Sequence, residues 1–202
     1  MTKVFFTQYS AFPLPPPCPL SSYRRGKLSN MSQEQRAKQI ITEYFLLKAL
    51  RTIDDDIAIP MNISTAEYGK PYIPGFPYCF NISHSSDLLI CGVSDAEIGA
   101  DVQEKSEKTN IEGIIKRFYS ADEQEYVLSS EDMCDAFTKI WTLKEAYIKA
   151  LGTGGATPLE SFSVLQPIEG YSFYHNIAGS YHYAICQKTP TFPENIKFEK
   201  IS

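Results

Sequence analysis

Two carboxylates and a scatter of cations set the chemical problem in this sequence. Asp101 falls in Glu97-Ile98-Gly99-Ala100-Asp101-Val102-Gln103. Strand alternation there turns Asp101 and Gln103 to one face and Ala100 and Val102 to the other. A carboxylate within an apolar strand is costly unless it binds a metal or a hydrogen-bond donor. Glu145 falls in Phe137-Thr138-Lys139-Ile140-Trp141-Thr142-Leu143-Lys144-Glu145-Ala146-Tyr147-Ile148-Lys149. At helical period Lys144 lies inside the apolar arc, and Glu145 and Lys149 lie at its edge, one turn apart. Taken alone, this reads more simply as a snorkelling lysine and an ordinary surface pair. The rest of the chain tips the reading the other way.

Cations and phosphate-seeking residues recur along the chain at Arg24, Arg25, Lys27, Lys38, Lys70, His84, Lys144 and Lys149. Tyr23-Arg24-Arg25-Gly26-Lys27 is the densest basic cluster and fits either a solvated loop or a phosphate clamp. Lys38, alone, is an unremarkable surface lysine. In Tyr68-Gly69-Lys70-Pro71-Tyr72, Gly69 lets the backbone approach a ligand, Lys70 offers a cation and Pro71 stiffens the turn. His84, between Ser83 and Ser85 at a strand end, is well placed to donate to a phosphate, although a lone loop histidine is more often simply satisfied. Two carboxylates without a histidine or cysteine cluster suit a hard cation such as Mg²⁺. Cations far apart in sequence suit a ligand with several phosphates. Neither a Walker loop nor G-x-G-x-x-G is present. The residues themselves lead to Mg²⁺-assisted chemistry on a small molecule containing a pyrophosphate.

These side chains need elements to hold them. The key helix is expected to begin after Ser130, with Ser130 as cap and Glu131 and Asp132 in the first turn, and to stop at Gly152. A first strand is expected over Val4 to Tyr9. Pro13, Pro15, Pro16, Pro17 and Pro19 then impose an extended loop. Ser32 caps a helix running to about Arg51 that buries Ile40, Ile41, Tyr44, Phe45, Leu47 and Leu50. Strands are expected over Cys79 to Ser85, Leu88 to Val93 and Glu97 to Gln103. Asn110 to Tyr119 is a short amphipathic helix, and Ser120-Ala121-Asp122-Glu123 opens another. The remainder is β-like: Ser161 to Leu165, Tyr171 to Ile177, Tyr181 to Cys186 and Asn195 to Ile201. His175 and His182 read as structural. Strand, helix and strands occur in that order twice, which implies an α+β fold of two similar halves.

Composition narrows the class. With 202 residues, 43% of them hydrophobic and 21% charged, the chain reads as a soluble globular protein of one large or two small domains. A net charge of −5 argues against a broad nucleic-acid surface. Five cysteines without a C-x-x-C pair fit reduced thiols in a cytosolic protein better than disulfides or zinc. No apolar run is long enough for a membrane helix, and the N-terminus is a poor signal peptide.

Five stretches, taken together, resemble the 4′-phosphopantetheinyl transferases of the monomeric two-lobed type. They are Tyr68-Gly69-Lys70-Pro71, Phe80-Asn81-Ile82-Ser83-His84-Ser85, Ile98-Gly99-Ala100-Asp101-Val102, Trp141-Thr142-Leu143-Lys144-Glu145-Ala146-Tyr147-Ile148-Lys149 and Ser161-Phe162-Ser163-Val164. A lone Lys-Glu-x-x-x-Lys is weak evidence, whereas five motifs in the family's order are strong. The resemblance implies two similar α/β lobes in a pseudo-twofold arrangement. Residues 1–97 would bind the nucleotide of coenzyme A, and residues 98–202 would carry the metal site and the catalytic helix. It implies transfer of phosphopantetheine from coenzyme A to a serine of an apo acyl or peptidyl carrier protein, with release of 3′,5′-ADP, by a cytoplasmic monomer that uses neither nucleic acid nor membrane.

Residue by residue, Asp101, Glu145 and Gln103 would face Mg²⁺ (or Mn²⁺), and Asp101, Glu145 and Lys149 would be catalytic. Gly69, Lys70 and Pro71 would line the nucleotide side. Ser83, His84 and Lys38 would contact phosphates, and Arg24, Arg25 and Lys27 lie where the family has a clamp for the 3′-phosphate. Lys144 would help fix the site, and Lys149 would lie near the pyrophosphate. Either Glu145 or a water beside the metal would take the serine proton. Gln103 departs from the family, which often has an acidic residue there. That leaves a catalytically weakened module binding coenzyme A and carrier protein as an alternative. A different Mg²⁺-dependent enzyme acting on a nucleotide is another. Ile111, Ile114, Ile115, Lys116, Arg117 and Phe118 are candidates for a carrier surface, and equally for helix core.

Overall fold

The computed structural model describes residues 1–12, 19–107 and 110–201. The expected loop at Pro13, Pro15, Pro16 and Pro17 lies outside the described residues. A first strand, β1 (Thr2–Gln8), is followed by α1 (Ser22–Lys27) and α2 (Gln33–Arg51). A two-stranded ribbon, β2 (Ser64–Thr65) and β3 (Pro71–Tyr72), precedes β4 (Cys79–Ser85), β5 (Leu88–Ser94) and β6 (Ile98–Glu104). Three helices follow, α3 (Ile111–Phe118), α4 (Ala121–Leu128) and α5 (Met133–Leu151), then β7 (Ser172–Ala178), β8 (Tyr181–Gln187) and β9 (Lys197–Lys200).

One sheet has the order β4-β5-β1-β9, with β9 parallel to β1 and the other pairs antiparallel. The second has the order β6-β8-β7 and is wholly antiparallel. Each sheet is thus built from a strand, a long helix and a hairpin whose second strand pairs with the first strand. The C-terminal strand β9 returns to the first sheet, beside β1.

Period-two alternation in four strands explains the layering. Phe5 on β1 and Leu89, Cys91 and Val93 on β5 pack with Phe45, Leu46 and Leu50 of α2. Val4 and Ile90 point the other way and meet Ile98, Ala100 and Val102 of β6 and Ile185 of β8. On the outer face of the second sheet, Ala184 and Cys186 pack with Leu143, Ala146 and Ala150 of α5. The order is therefore helix, sheet, sheet, helix. Fully burying each large side chain in these layers contributes about 1.5–3 kcal/mol.

The helix signals act locally. Ser32 and Gln35 form the reciprocal cap that opens α2. α5 is capped by Asp132, whose side chain accepts from the Asp135 N–H. Ser130, the expected cap, instead donates its hydroxyl to the Tyr126 carbonyl at the end of α4, at 2.6 Å. Gly152 ends α5 with φ +72°, a conformation that favours glycine. Two further expectations are corrected. Residues 24–27 lie in a short helix rather than a loop. Ser161 to Leu165 is not a strand but the end of a 3₁₀ turn followed by an irregular loop.

Gly99 sets how closely β6 meets α5. A Cβ there would stand 2.0 Å from the Ala146 carbonyl oxygen and 2.4 Å from the Ala150 nitrogen, both helix backbone. Neither atom can yield without moving the helix. Gly99→Ala is expected to lower stability by about 1–3 kcal/mol or more, measured as a fall in the urea midpoint. An unchanged midpoint would contradict this close contact.

Candidate functional site

The site begins at a seam between β4 and β6. These strands belong to different sheets, and side chains join them. Asn81 Oδ1 accepts the Ala100 N–H at 2.9 Å, Ser83 Oγ donates to Asp101 Oδ1 at 2.7 Å, and Ser85 Oγ accepts the Glu104 N–H at 2.9 Å. Residues 81, 83 and 85 share one face of β4, so alternation alone turns all three toward β6.

Asp101 is 1% exposed. Its charge is met by donors from three elements. Besides Ser83, Lys149 Nζ of α5 lies 2.5 Å from Oδ1, and Gln103 Nε2 donates to Oδ2 at 2.9 Å. Lys149 also donates to Ser83 Oγ at 3.0 Å. A buried carboxylate is tolerated when it is paired and hydrogen-bonded in this way. Gln103, read as a metal-facing residue, here serves Asp101 as a donor through its amide nitrogen.

Glu145 lies one helical turn before Lys149 and is half-buried. Among the described residues it has no ion pair and no side-chain hydrogen bond. Burial, and then the nearby charge of Asp101, raise its pKa above the ordinary 4.5, with Lys149 pulling the other way. Two carboxylates therefore bear on one space, and one of them lacks a protein donor. That donor set fits a hard divalent cation, which would relieve the repulsion between them. Among the described residues no three His, Cys, Asp or Glu side chains converge on a metal position.

Beside these groups opens a cleft of about 370 Å³ whose lining includes Tyr68, Gly69, Lys70, Pro71, Asn81, Glu145, Lys149 and Gly152. The β2–β3 ribbon carries one wall, and Gly69 in its turn has φ +86°. Lys70 Nζ reaches Glu97 Oε2 at 2.5 Å and the Ala150 carbonyl at 2.9 Å. A cation at the carbonyl end of α5 complements the helix dipole. Its stem also packs over Gly152, where a Cβ would stand 2.9 Å from Lys70 Cδ.

His84 is exposed at the end of β4. Desolvation, and then the charges of Lys149, Lys38 and Arg24, lower its pKa against the pull of Asp101. Those cations, distant in sequence, are thus near one another in the fold. They differ in freedom. Arg24 is buried, with Nε 3.3 Å from Glu43 Oε2 and a second bond to Gln39. Glu43 also accepts the Ser21 N–H and hydroxyl. Arg24 therefore anchors α1 on α2 rather than standing ready for a ligand. Arg25 and Lys27 are exposed on α1, and Lys27 donates to Tyr23 Oη at 2.5 Å. Lys38 pairs with Glu34 on the surface of α2.

Lys144 does not join the cleft. It is fully buried on the opposite side of α5, with Nζ 2.5 Å from Glu123 Oε2 and 2.7 Å from the Phe162 carbonyl. Burial lowers its pKa, and Glu123 opposes that shift. Glu123 also accepts the Ser120 N–H and the Val164 N–H. The same contact explains why the Ser161–Leu165 stretch is not a strand, since its backbone groups bond to this ion pair instead of to a neighbour. Asn81, Glu43 and Glu123 carry weight that the sequence reading did not assign. For Asn81 the signal was present in its two-residue spacing from Ser83. For the two glutamates the partners are remote in sequence, and no local pattern identifies them.

A family model described as the 4′-phosphopantetheinyl transferase superfamily matches residues 97–193. The chain is 31% identical over 207 residues to the 4′-phosphopantetheinyl transferase Sfp of Bacillus subtilis, covering 88% of this chain and 92% of that protein. It is 32% identical over 126 residues to the 4′-phosphopantetheinyl transferase gsp of Aneurinibacillus migulanus, covering 61% of this chain and 50% of that protein. It is 38% identical over 93 residues to the 4′-phosphopantetheinyl transferase HetI of a Nostoc strain, covering 45% of this chain and 39% of that protein.

The raised Glu145 pKa has a consequence for stability. A carboxyl that binds its proton more tightly in the fold adds stability below its unfolded pKa and loses it as pH rises through its folded pKa. At neutral pH the Glu145 charge therefore opposes folding. With a chelator present, Glu145→Gln is expected to unfold at higher urea than the parent at neutral pH. The gap should close as pH falls below the ordinary glutamate value. A variant less stable than its parent at neutral pH would contradict this.

Proposed function

The chain belongs to the 4′-phosphopantetheinyl transferase superfamily and transfers phosphopantetheine to carrier proteins, and from that premise we propose how its residues divide the work. Coenzyme A is the donor, bound with its nucleotide in the cleft beside Gly69, Lys70 and Pro71. Its pyrophosphate lies toward Asp101, Glu145 and Lys149. The acceptor is a serine of an apo acyl or peptidyl carrier protein. The serine oxygen forms a bond to the β-phosphorus, the bond from that phosphorus to the bridging oxygen breaks, and 3′,5′-ADP leaves.

The observation that carries this reading is the convergence of Ser83, Asp101, Glu145 and Lys149 from β4, β6 and α5 beside a cleft whose wall includes Gly69. Asp101 and Glu145 would hold Mg²⁺ or Mn²⁺, which would supply charge neutralisation at the pyrophosphate. Ser83 and Gln103 hold the Asp101 carboxylate in place. Lys149, bonded to Asp101 and Ser83 and lining the cleft, supplies a cation for a phosphate oxygen. Lys38, Arg25 and Lys27 offer further positive charge on the α1 and α2 side, and His84, whose pKa is lowered, offers a neutral ring on β4. Glu145, with its raised proton affinity, suits the role of base for the serine hydroxyl. The twice-repeated order of strand, helix and hairpin supports two pseudo-twofold lobes with the site at their seam. We further propose a monomer acting in the cytoplasm.

The test is the intact mass of an apo carrier protein after incubation with this protein, coenzyme A and Mg²⁺. The expected result is a gain of one phosphopantetheine that a chelator abolishes and that Glu145→Ala slows by about 10²- to 10⁴-fold. Full activity in Glu145→Ala would overturn the assignment of Glu145. Coenzyme A binding without transfer to any carrier would favour the weakened binding module instead.

A further inference from the structure

Away from the cleft, His175 of β7 and His182 of β8 lie on the α5-facing side of the second sheet. They are diagonal neighbours in the β7–β8 ladder, where His175 is opposite Ala184 and Ile177 is opposite His182. His175 Nε2 stands 3.1 Å from His182 Nδ1, with the ring centroids 5.2 Å apart. On its other side, His182 Nε2 stands 3.0 Å from Asp135 Oδ1 in the first turn of α5. His182 is 1% exposed, while His175 is half-buried and opens toward solvent.

This arrangement fixes proton positions. An ionised carboxylate accepts only, so His182 carries its proton on Nε2 and directs the Nδ1 lone pair at His175. Burial, then the neighbouring His182 and Lys139, hold His175 near a pKa of about 4, and burial also lowers that of His182. A shift of the His175 proton to its own Nδ1 leaves a lone pair on each of the two facing nitrogens. Two nitrogens each about 2.0–2.1 Å from one ion stand about 2.9 Å apart at a right angle and about 3.3 Å apart at the tetrahedral angle. The observed separation falls between these limits.

The cations that bear on these rings are Lys105 and Lys139. Lys105 is matched by Asp132, and Lys139 turns its ammonium to the Tyr126 hydroxyl at 3.3 Å. Among the described residues no lysine or arginine pairs with Asp135. A carboxylate behind a ligating histidine, on its second nitrogen, is the arrangement that orients imidazole ligands in metal sites.

We propose that His175 and His182 chelate a divalent transition-metal ion, of the Zn²⁺, Ni²⁺ or Cu²⁺ class, with Asp135 orienting His182 and water completing the coordination. Imidazole ligands favour these ions over Mg²⁺, so this site and the Asp101–Glu145 site take different metals. The ion ties the β7–β8 hairpin to the first turn of the helix that carries Glu145 and Lys149. It also sits one strand from Gln103, which is the ladder partner of His182.

Calorimetric titration with Zn²⁺ in excess Mg²⁺ tests the proposal. The intact protein is expected to take up one Zn²⁺ per chain, and Glu145→Ala to keep that uptake. His175→Ala, checked for native circular dichroism, is expected to lose it. Asp135→Asn keeps both imidazoles and is expected to weaken it by about 10- to 100-fold. The proposal falls if the intact protein takes up no Zn²⁺, if His175→Ala titrates like its parent, or if uptake is lost in Glu145→Ala and kept in His175→Ala.

Discussion

A carboxylate buried as deeply as Asp101 has to be matched by donors, and the donors come from three separate elements. Ser83 reaches it from β4, Gln103 from its own strand and Lys149 from α5. Those elements belong to two sheets and one helix, which also meet through the apolar layers on either side of the second sheet. The need to satisfy one charge adds a directional constraint to the relative position of both sheets and of the helix that carries Glu145. The Asn81 and Ser85 side-chain oxygens, which accept the Ala100 and Glu104 N–H groups, flank that charge on either side. A lone aspartate in a strand would be a defect; here it is the point where the halves are registered.

Two further constraints hold α5 against this seam. Gly99 removes the Cβ that would collide with the helix backbone, so β6 and α5 approach closely. On the far side of the helix, Lys144 and Glu123 bury an ion pair that also binds the backbone at Phe162 and Val164. Breaking such a pair from one side costs about 3–5 kcal/mol, because the other charge stays buried. The helix is thus fixed in rotation by a pair on one face and by Lys149 on the other. Glu145 projects between them, with no protein partner among the described residues. A carboxylate held in this way, with a raised proton affinity, opposes folding at neutral pH.

The sequence made much of this legible, and the reasons differ by residue. Caps and periodicity are local, so α2, α5 and most strands follow from Ser32, Gly152 and alternation. Asp101 and Glu145 stand out because a carboxylate among apolar neighbours breaks a pattern. What stayed hidden depends on contacts remote in sequence. Arg24 looks like a free cation until Glu43 is beside it, and Lys144 looks like part of the cleft until Glu123 draws it away. Phe162 and Val164 have strand-like composition, but their backbone groups bond to that ion pair. Ser130 looks like the natural cap of α5, yet its hydroxyl is drawn to Tyr126. The return of β9 to the first sheet joins residues nearly two hundred apart, and no local rule predicts it.

We propose that Asp101 and Glu145 act with Lys149 as one site for a divalent cation and a pyrophosphate. It is tested most directly by calorimetric titration of coenzyme A in the presence and absence of Mn²⁺, for the parent protein and for Asp101→Asn. The account predicts that Mn²⁺ tightens coenzyme A binding to the parent and that Asp101→Asn abolishes this linkage while the variant stays folded. A parent whose coenzyme A affinity ignores Mn²⁺, or a variant that keeps the full linkage, would contradict it.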